Sequence, residues 1–343
     1  MTQLLAWVAI GMAATLFALV AWIAISRFLS DRRREREQVL RPTIEAAIAE
    51  YLAAEEPEPL RLPATKATYD LLRMVALETM AELSGRERNR LVELLERLGI
   101  VAKTAAGLGS RRRRVRRFSA EALRQIGSEE TVRSLSAGLN DPDLDTSLTC
   151  AAALAQLSDQ TSAPPILALA DRAAVARPGA VAAILITLGR SHPATIGDAL
   201  APDVSLELRR LAAAVAGELR LAEHVPFLRE ALRSEDDELV ARAARGLGAI
   251  GDIEEVEQLL RLAEAHDRSW FVRLAATDAL GAIGDTRAVE PLERELHSDG
   301  WLLQAKAAKA LRMLGSGGEE ALRRALASPT TTVRDHARVA LEQ

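Results

Sequence analysis

The stretch Trp270-Phe271-Val272-Arg273-Leu274-Ala275-Ala276-Thr277-Asp278-Ala279-Leu280-Gly281-Ala282-Ile283-Gly284-Asp285, running into Ala288-Val289-Glu290-Pro291-Leu292-Glu293-Arg294-Glu295-Leu296, decides the fold. Apolar side chains three and four residues apart mark a helix, Gly284 marks its stop, and the second apolar run marks another helix. Working outward from Leu280, the equivalent positions are Leu123, Leu154, Leu185, Ala216, Leu247, Leu280, Leu311 and Leu341, with successive spacings of 31, 31, 31, 31, 33, 31 and 30. Three residues after each of the first seven stands an Ile or Leu. The next residue is Gly at 127, 189, 251, 284 and 315, and is otherwise Ser158 or Arg220. Each copy therefore reads as a helix of about four turns, a stop, a short turn and a second helix, such as the one carrying Val225, Leu228 and Leu232.

One such pair cannot hide its apolar face, and stacking the pairs side by side does so. The alanines three to five residues before each anchor position let neighbouring helices approach closely. The expected fold class is all-α, a right-handed α-solenoid. Composition agrees: the chain of 343 residues is 49% hydrophobic but only 3% aromatic, so small and aliphatic side chains must fill its interior. With 27% charged residues and a net charge of -4, it is neither a disordered chain nor a strongly basic wrapper of nucleic acid. One cysteine, Cys150, excludes a disulfide framework and a thiolate zinc cluster and fits a reducing compartment.

These copies resemble the HEAT-like repeats of the phycocyanobilin lyase type, over residues 110–343 and about seven and a half repeats. The resemblance implies that the Val-Arg helix lines a concave side, and that a turn Asp and a helix Arg tie adjacent units together. The matching structural arginines are Arg116, Arg209, Arg273 and Arg334. Thr146-Ser147, Arg177-Pro178, Leu239-Val240 and Leu303-Gln304 replace Val-Arg, which breaks that ladder in half the copies. Pro178 and Gly179 are expected to shorten or bend the first helix of the third copy and to disturb the curvature near 171–202. The last copy stops after one helix, as a terminal cap would.

Upstream, Leu4 to Ile25 is a run of 22 residues without a charge, with Trp7 and Trp22 near its ends. Its length predicts a transmembrane anchor over 1–30. Ala24-Ile25-Ser26 offers a signal-peptide cleavage site, but the run is long for one and no Lys or Arg precedes Leu4. Arg27, Arg32, Arg33, Arg34 and Arg36 follow it, which predicts a single-pass protein of the cell membrane, its N-terminus outside and its repeats cytoplasmic. Residues 31–109 read as a juxtamembrane helical region and an N-terminal cap for the array. They comprise an amphipathic helix over 42–54, a Pro/Glu linker over 55–63 and a helical hairpin over 67–100. A Ser84–Glu87 capping box opens the second hairpin helix and Gly99 closes it.

No constellation in the sequence points to catalysis, so the chain is expected to be no enzyme, with no catalytic residue, cofactor or metal. Gly246-Leu247-Gly248-Ala249-Ile250-Gly251 matches a dinucleotide-binding string, but helix rather than strand precedes it and the same columns recur in other copies. The five histidines lie far apart, and Cys150 sits on an apolar helix face. Two features remain. Arg111, Arg112, Arg113 and Arg114, with Arg116 and Arg117, form a basic cluster suited to an anion or an acidic partner loop. Trp270, beside Phe271, and Trp301 stand 31 apart in one column, and there they either plug the seam between units or form an interface hot spot.

The expected function is a membrane-anchored scaffold or adaptor that binds another protein through its solenoid. Its partner would be an integral-membrane enzyme such as a glycosyltransferase, or a transport or signalling complex, with membrane lipid nearby and no nucleic acid. The alternatives are a lyase or chaperone-like factor, as the resemblance implies, and a regulator responding to an anionic ligand.

Overall fold

In a computed structural model, residues Leu16, Leu19, Trp22, Arg27, 38–54, Leu60, 65–158, 160–298 and 300–342 are described. All their regular structure is helical. The chain divides into two compact units, Met1–Ser110 with Gln125–Thr131, and Arg111–Arg124 with Val132–Gln343.

In the first unit, helix α1 over 38–53 buries Ile44, Ile48 and Tyr51. α2 (Lys66–Met80) and α3 (Gly85–Arg97) form the expected hairpin, which α4 (Ile100–Ala106) extends. Arg90 Nη1 donates to the carbonyls of Leu52 and Ala54 at 3.1 and 2.8 Å, satisfying acceptors that the end of α1 leaves without helical partners. Gly99 takes the left-handed conformation, φ 67°, as expected of the glycine that closes the second hairpin helix. The capping box does not form: Ser84 is the N-cap of α3, but its side chain makes no capping hydrogen bond.

The predicted anchor falls outside the described residues apart from Leu16, Leu19, Trp22 and Arg27. Among the described residues no helix is long and apolar enough to cross a membrane. α2, with 15 residues, spans about 22 Å at ~1.5 Å per residue, against the ~30 Å of a hydrocarbon core. α1 carries Arg41, Glu45 and Glu50, which that core would not accept. The single-pass placement in the cell membrane, outside and cytoplasmic sides included, is corrected on this finding. The integral-membrane partner and the lipid contact lose the support that rested on it.

The second unit stacks helix pairs. From the first pair, α5 (Arg113–Ile126) and α6 (Glu129–Gly138), residues 125–131 cluster with the first unit. The pairs that follow are α7 (Leu144–Gln156) with α8 (Ala163–Ala173), α9 (Pro178–Ser191) with α10 (Ala194–Leu200), and α11 (Leu206–Glu218) with α12 (Val225–Ala231). Then come α13 (Asp237–Ile250) with α14 (Val256–Ala263), α15 (Trp270–Ile283) with α16 (Val289–Leu296), α17 (Trp301–Met313) with α18 (Ser316–Ala325), and the lone α19 (Thr331–Glu342). From α7 onward each first helix packs on the next, so that they make one layer; second helices such as α10 and α18 rest against the first helices on either side, and α14 and α16 against the first helix that follows. This is a repeat solenoid.

The anchor column is the core of that layer: Leu123, Leu154, Leu185, Ala216, Leu247, Leu280 and Leu311 are all fully buried, and terminal Leu341 half so. The stops also follow the column. Gly127, Gly251, Gly284 and Gly315 have φ between 70° and 86°, and Ser158 and Arg220, which replace glycine, are forced to φ 57° and 54°. Gly189 departs because α9 runs on to Ser191. Pro178 does not shorten that helix: it occupies the first turn, where its missing N–H has no intrahelical acceptor to lose, and α9 keeps 14 residues.

Candidate docking groove

Helix starts position the site. Ten residues before the anchors stand Arg113, Leu144, Val175, Leu206, Asp237, Trp270, Trp301 and Thr331. The apolar members of this column are not core. Val175 is 78% exposed, Leu206 40%, Trp270 59% and Trp301 69%. The two indoles therefore do not plug the seam between units; they stand out from it. The sequence pattern showed Trp270 and Trp301 in one column, and counting ten back from every anchor would have shown the whole apolar row.

The turn leading into Trp270 is braced by the preceding repeat. Asp237 accepts from the N–H of Ser269 at 3.0 Å, from its hydroxyl, and from Arg268 Nη1 at 2.9 Å. The same partners, Ser269 first and then Arg268, hold the Asp237 carboxyl below its usual range. Arg268 also donates to the Ser234 carbonyl at 3.0 Å. Phe271 is half-buried and meets the Trp270 ring edge-on, with centroids 6.1 Å apart.

Beside Trp270 lies a groove of about 730 Å³, whose walls come from the turn after α14, from α15 and α16, and from the turn after α16 and the start of α17. Glu264, His266, Trp270, Arg273, Pro291, Arg294, Glu295, Ser298, Gly300 and Leu303 line it. Its floor is an ion pair. Arg273 Nη2 donates to Glu295 Oε1 at 2.7 Å, the two side chains only 14% and 9% exposed, so each charge is neutralised where water is scarce. Arg294 bridges Glu264 and Glu290 at the rim.

The basic cluster divides. Arg111, Arg112, Arg113 and Arg114 are exposed. Arg116 is engaged by Asp141 through two hydrogen bonds of 2.6 and 2.9 Å. Arg117 donates to Asp143 at 3.0 Å and also to Asp145, which takes a second guanidinium from Arg177 at 2.9 Å. Asp143 additionally caps α7 by accepting from the Thr146 N–H at 3.1 Å and from its hydroxyl at 2.6 Å.

The other structural arginines depart from the expected ladder. Arg273 joins the second helix of its own repeat rather than a turn Asp, and Arg334 donates to the carbonyls of Ser328 and Pro329 at 2.7 and 2.8 Å. Arg209 Nε is buried without a hydrogen-bond partner. Its neighbour Arg210 makes the inter-repeat bond, Nε to Asp236 Oδ1 at 2.9 Å, in the same column as Arg117 to Asp143. The rule in these copies is that the N-cap Asp of one first helix receives an Arg from the first helix before it.

Reactive groups are quiet. Cys150 is fully buried, and burial, with the Asp141 carboxylate adding, pushes its thiol up to about 12. His224 Nε2 lies 2.7 Å from the Pro193 carbonyl and His192 Nε2 3.0 Å from that of Ser158. Among the described residues no three His, Cys, Asp or Glu side chains gather as a metal site.

An all-helical repeat solenoid with such a groove is a class of protein, and comparison with known proteins refines it. Residues 193–269 and 260–342, together less than half of the chain, match the family model for HEAT repeats. Comparison with proteins of curated function gives no match. Among solved structures, a mutant of Kap121p is similar with a TM-score of 0.53 at 13% identity, over 88% of this chain and 37% of that one. Kap121p bound to Ste12p gives 0.52 at 14% identity, over 86% and 40%. An engineered protein gives 0.41 at 20% identity, over 89% and 90%. The chain thus spans about two fifths of the Kap121p length, and the likeness is one of fold.

Proposed function

We propose that the chain is a protein-binding scaffold that presents the groove beside Trp270, and the exposed Trp301 indole at the start of α17, to another protein and carries out no reaction. The observation behind this reading is the exposure of the two indoles, side chains that a helix layer would otherwise bury. Two further facts support it: a solenoid built from repeats offers a long rigid surface, and Kap121p, similar in fold, has been solved bound to Ste12p. A lyase activity gains nothing from the family match, which concerns HEAT repeats alone.

The test is capture of binding proteins on the immobilised full chain and on the Trp270→Ala/Trp301→Ala variant, followed by affinity measurement with each purified candidate. A partner bound by the wild type and weakened ~10-fold or more by the variant is expected. Equal affinity for both would overturn the reading.

A second reading concerns Arg111 to Arg114, which crowd cations at the start of α5, whose first turn holds no acidic residue. That is the positive end of the helix dipole, where an anion is stabilised and a cation is not. Calorimetry with pyrophosphate would show binding lost in an Arg111/Arg113/Arg114→Ala variant; unchanged binding dismisses this site.

A further inference from the structure

On their outward side the first helices α13, α15 and α17 hold two cations that no carboxylate answers, a feature separate from the groove described above. Arg245, Asp278 and Lys309 each stand two residues before the anchors Leu247, Leu280 and Leu311, on helices that pack one on the next. Arg245 and Lys309 are exposed and Asp278 half so, while the anchors are fully buried, so this column faces out of the layer. Lys306 Nζ donates to Asp278 Oδ2 at 2.9 Å and ties the outward sides of α17 and α15 together.

Every carboxylate of these three helices is occupied. Glu238 accepts from Arg242 Nε at 2.8 Å, Asp278 from Lys306, and Asp237 from Ser269 and Arg268. Of the other cations, Arg273 is answered by Glu295 and Arg312 by Glu319. Arg245 and Lys309 are left without an ion-pair partner among the described residues. The second helices α14 and α16 carry the opposite bias, with Glu257, Glu290, Glu293 and Glu295 against Arg261 and Arg294. A chain of net charge -4 therefore presents uncompensated positive charge on this side of its layer.

Apolar surface lies in the same stripe. Residues seven before and four after the column share its side of each helix. They include half-buried Phe271 and Leu302 toward one end, and Met313, 52% exposed, toward the other. Methionine, aromatic and arginine side chains are what protein interfaces collect. A nucleic acid would bring a continuous line of phosphates against the Asp278 carboxylate, which stands between the two cations. A peptide places its carboxylates singly and can set an aliphatic side chain on Met313.

We infer that the outward side of α13, α15 and α17 binds an acidic segment of another protein. Carboxylates of that segment pair with Arg245 and Lys309, and an aliphatic side chain beside them rests on Met313.

Titration calorimetry on the full chain tests this with three synthetic peptides of equal length: one of glutamates and leucines, the same with lysines for the glutamates, and the same with serines for the leucines. The first is expected to bind, each replacement to weaken binding ~10-fold or more, and added salt to weaken it further because both cations are exposed. Arg245→Glu and Lys309→Glu should each cost ~10-fold or more with thermal unfolding unchanged, since neither side chain has an ion pair to lose. Arg261→Glu, the same change of net charge placed on α14, should leave binding as it is. Absence of binding by the first peptide, equal binding of the charge-reversed one, tighter binding of a single-stranded oligonucleotide, or an equal loss in Arg261→Glu overturns the inference. A partner that depends on Trp270 and Trp301, found together with failure of the acidic peptide, would leave the docking reading standing and remove this one.

Discussion

Arg220 pays for its place at the end of α11 with a left-handed backbone, φ 54°, where the same column elsewhere holds glycine. A side chain there costs about 1 kcal/mol relative to glycine. Arg220→Gly is therefore expected to raise stability by roughly that amount, read as a shift of the urea midpoint with unchanged slope. Asp143 gives a second residue-scale expectation. Its hydrogen bond from the Thr146 hydroxyl, and then Arg117, lower its carboxyl from 3.8 to about 2. A carboxyl depressed in the folded state contributes stability that is present above pH ~4 and fades as pH falls toward 2. Asp143→Asn should thus be destabilising at neutral pH, with its deficit shrinking across that window. A deficit independent of pH would show that Asp143 acts only as a neutral cap.

At the scale of the element, the first helices touch through glycine rather than only through the alanines that the sequence pointed to. A Cβ on Gly217 would stand 2.5 Å from the Gly246 Cα, one on Gly248 2.6 Å from the Ala279 Cα, and one on Gly281 2.7 Å from the Ala310 Cα. The closest approach lies at residues flanking these anchors, which gives Gly246 and Gly248 a packing role. Because backbone, not a flexible side chain, fills the space, Gly248→Ala must push α13 and α15 apart. The expected cost is about 1–3 kcal/mol, measured by denaturant unfolding. A neutral effect would mean the layer can slide without loss.

At the scale of the molecule, each repeat of the second unit leans mainly on its neighbours, so damage should spread locally. Leu280 is fully buried in the middle of the layer. Leu280→Asp places a carboxylate there, at a cost of several kcal/mol. Hydrogen exchange is expected to show protection lost in α13, α15 and α17 while α2 and α3 of the first unit keep theirs. Loss everywhere at once would point to one cooperative block instead of a stack.

The period of about 31 residues, the helix pairs, the buried anchor column and most stops were legible in the residues themselves, because a 3.6-residue apolar rhythm and a glycine after it act within one helix. Pro178 misled for a local reason too: its effect depends on whether it falls inside a helix or at its first turn. What only the tertiary structure decided concerns groups from different repeats. Whether Arg209 or Arg210 faces the next cap, whether Trp270 and Trp301 fill a seam or stand in water, and which side chains wall the groove depend on how neighbouring helices are turned against one another. No spacing along the chain records that rotation; the packing of α13, α15 and α17 sets it.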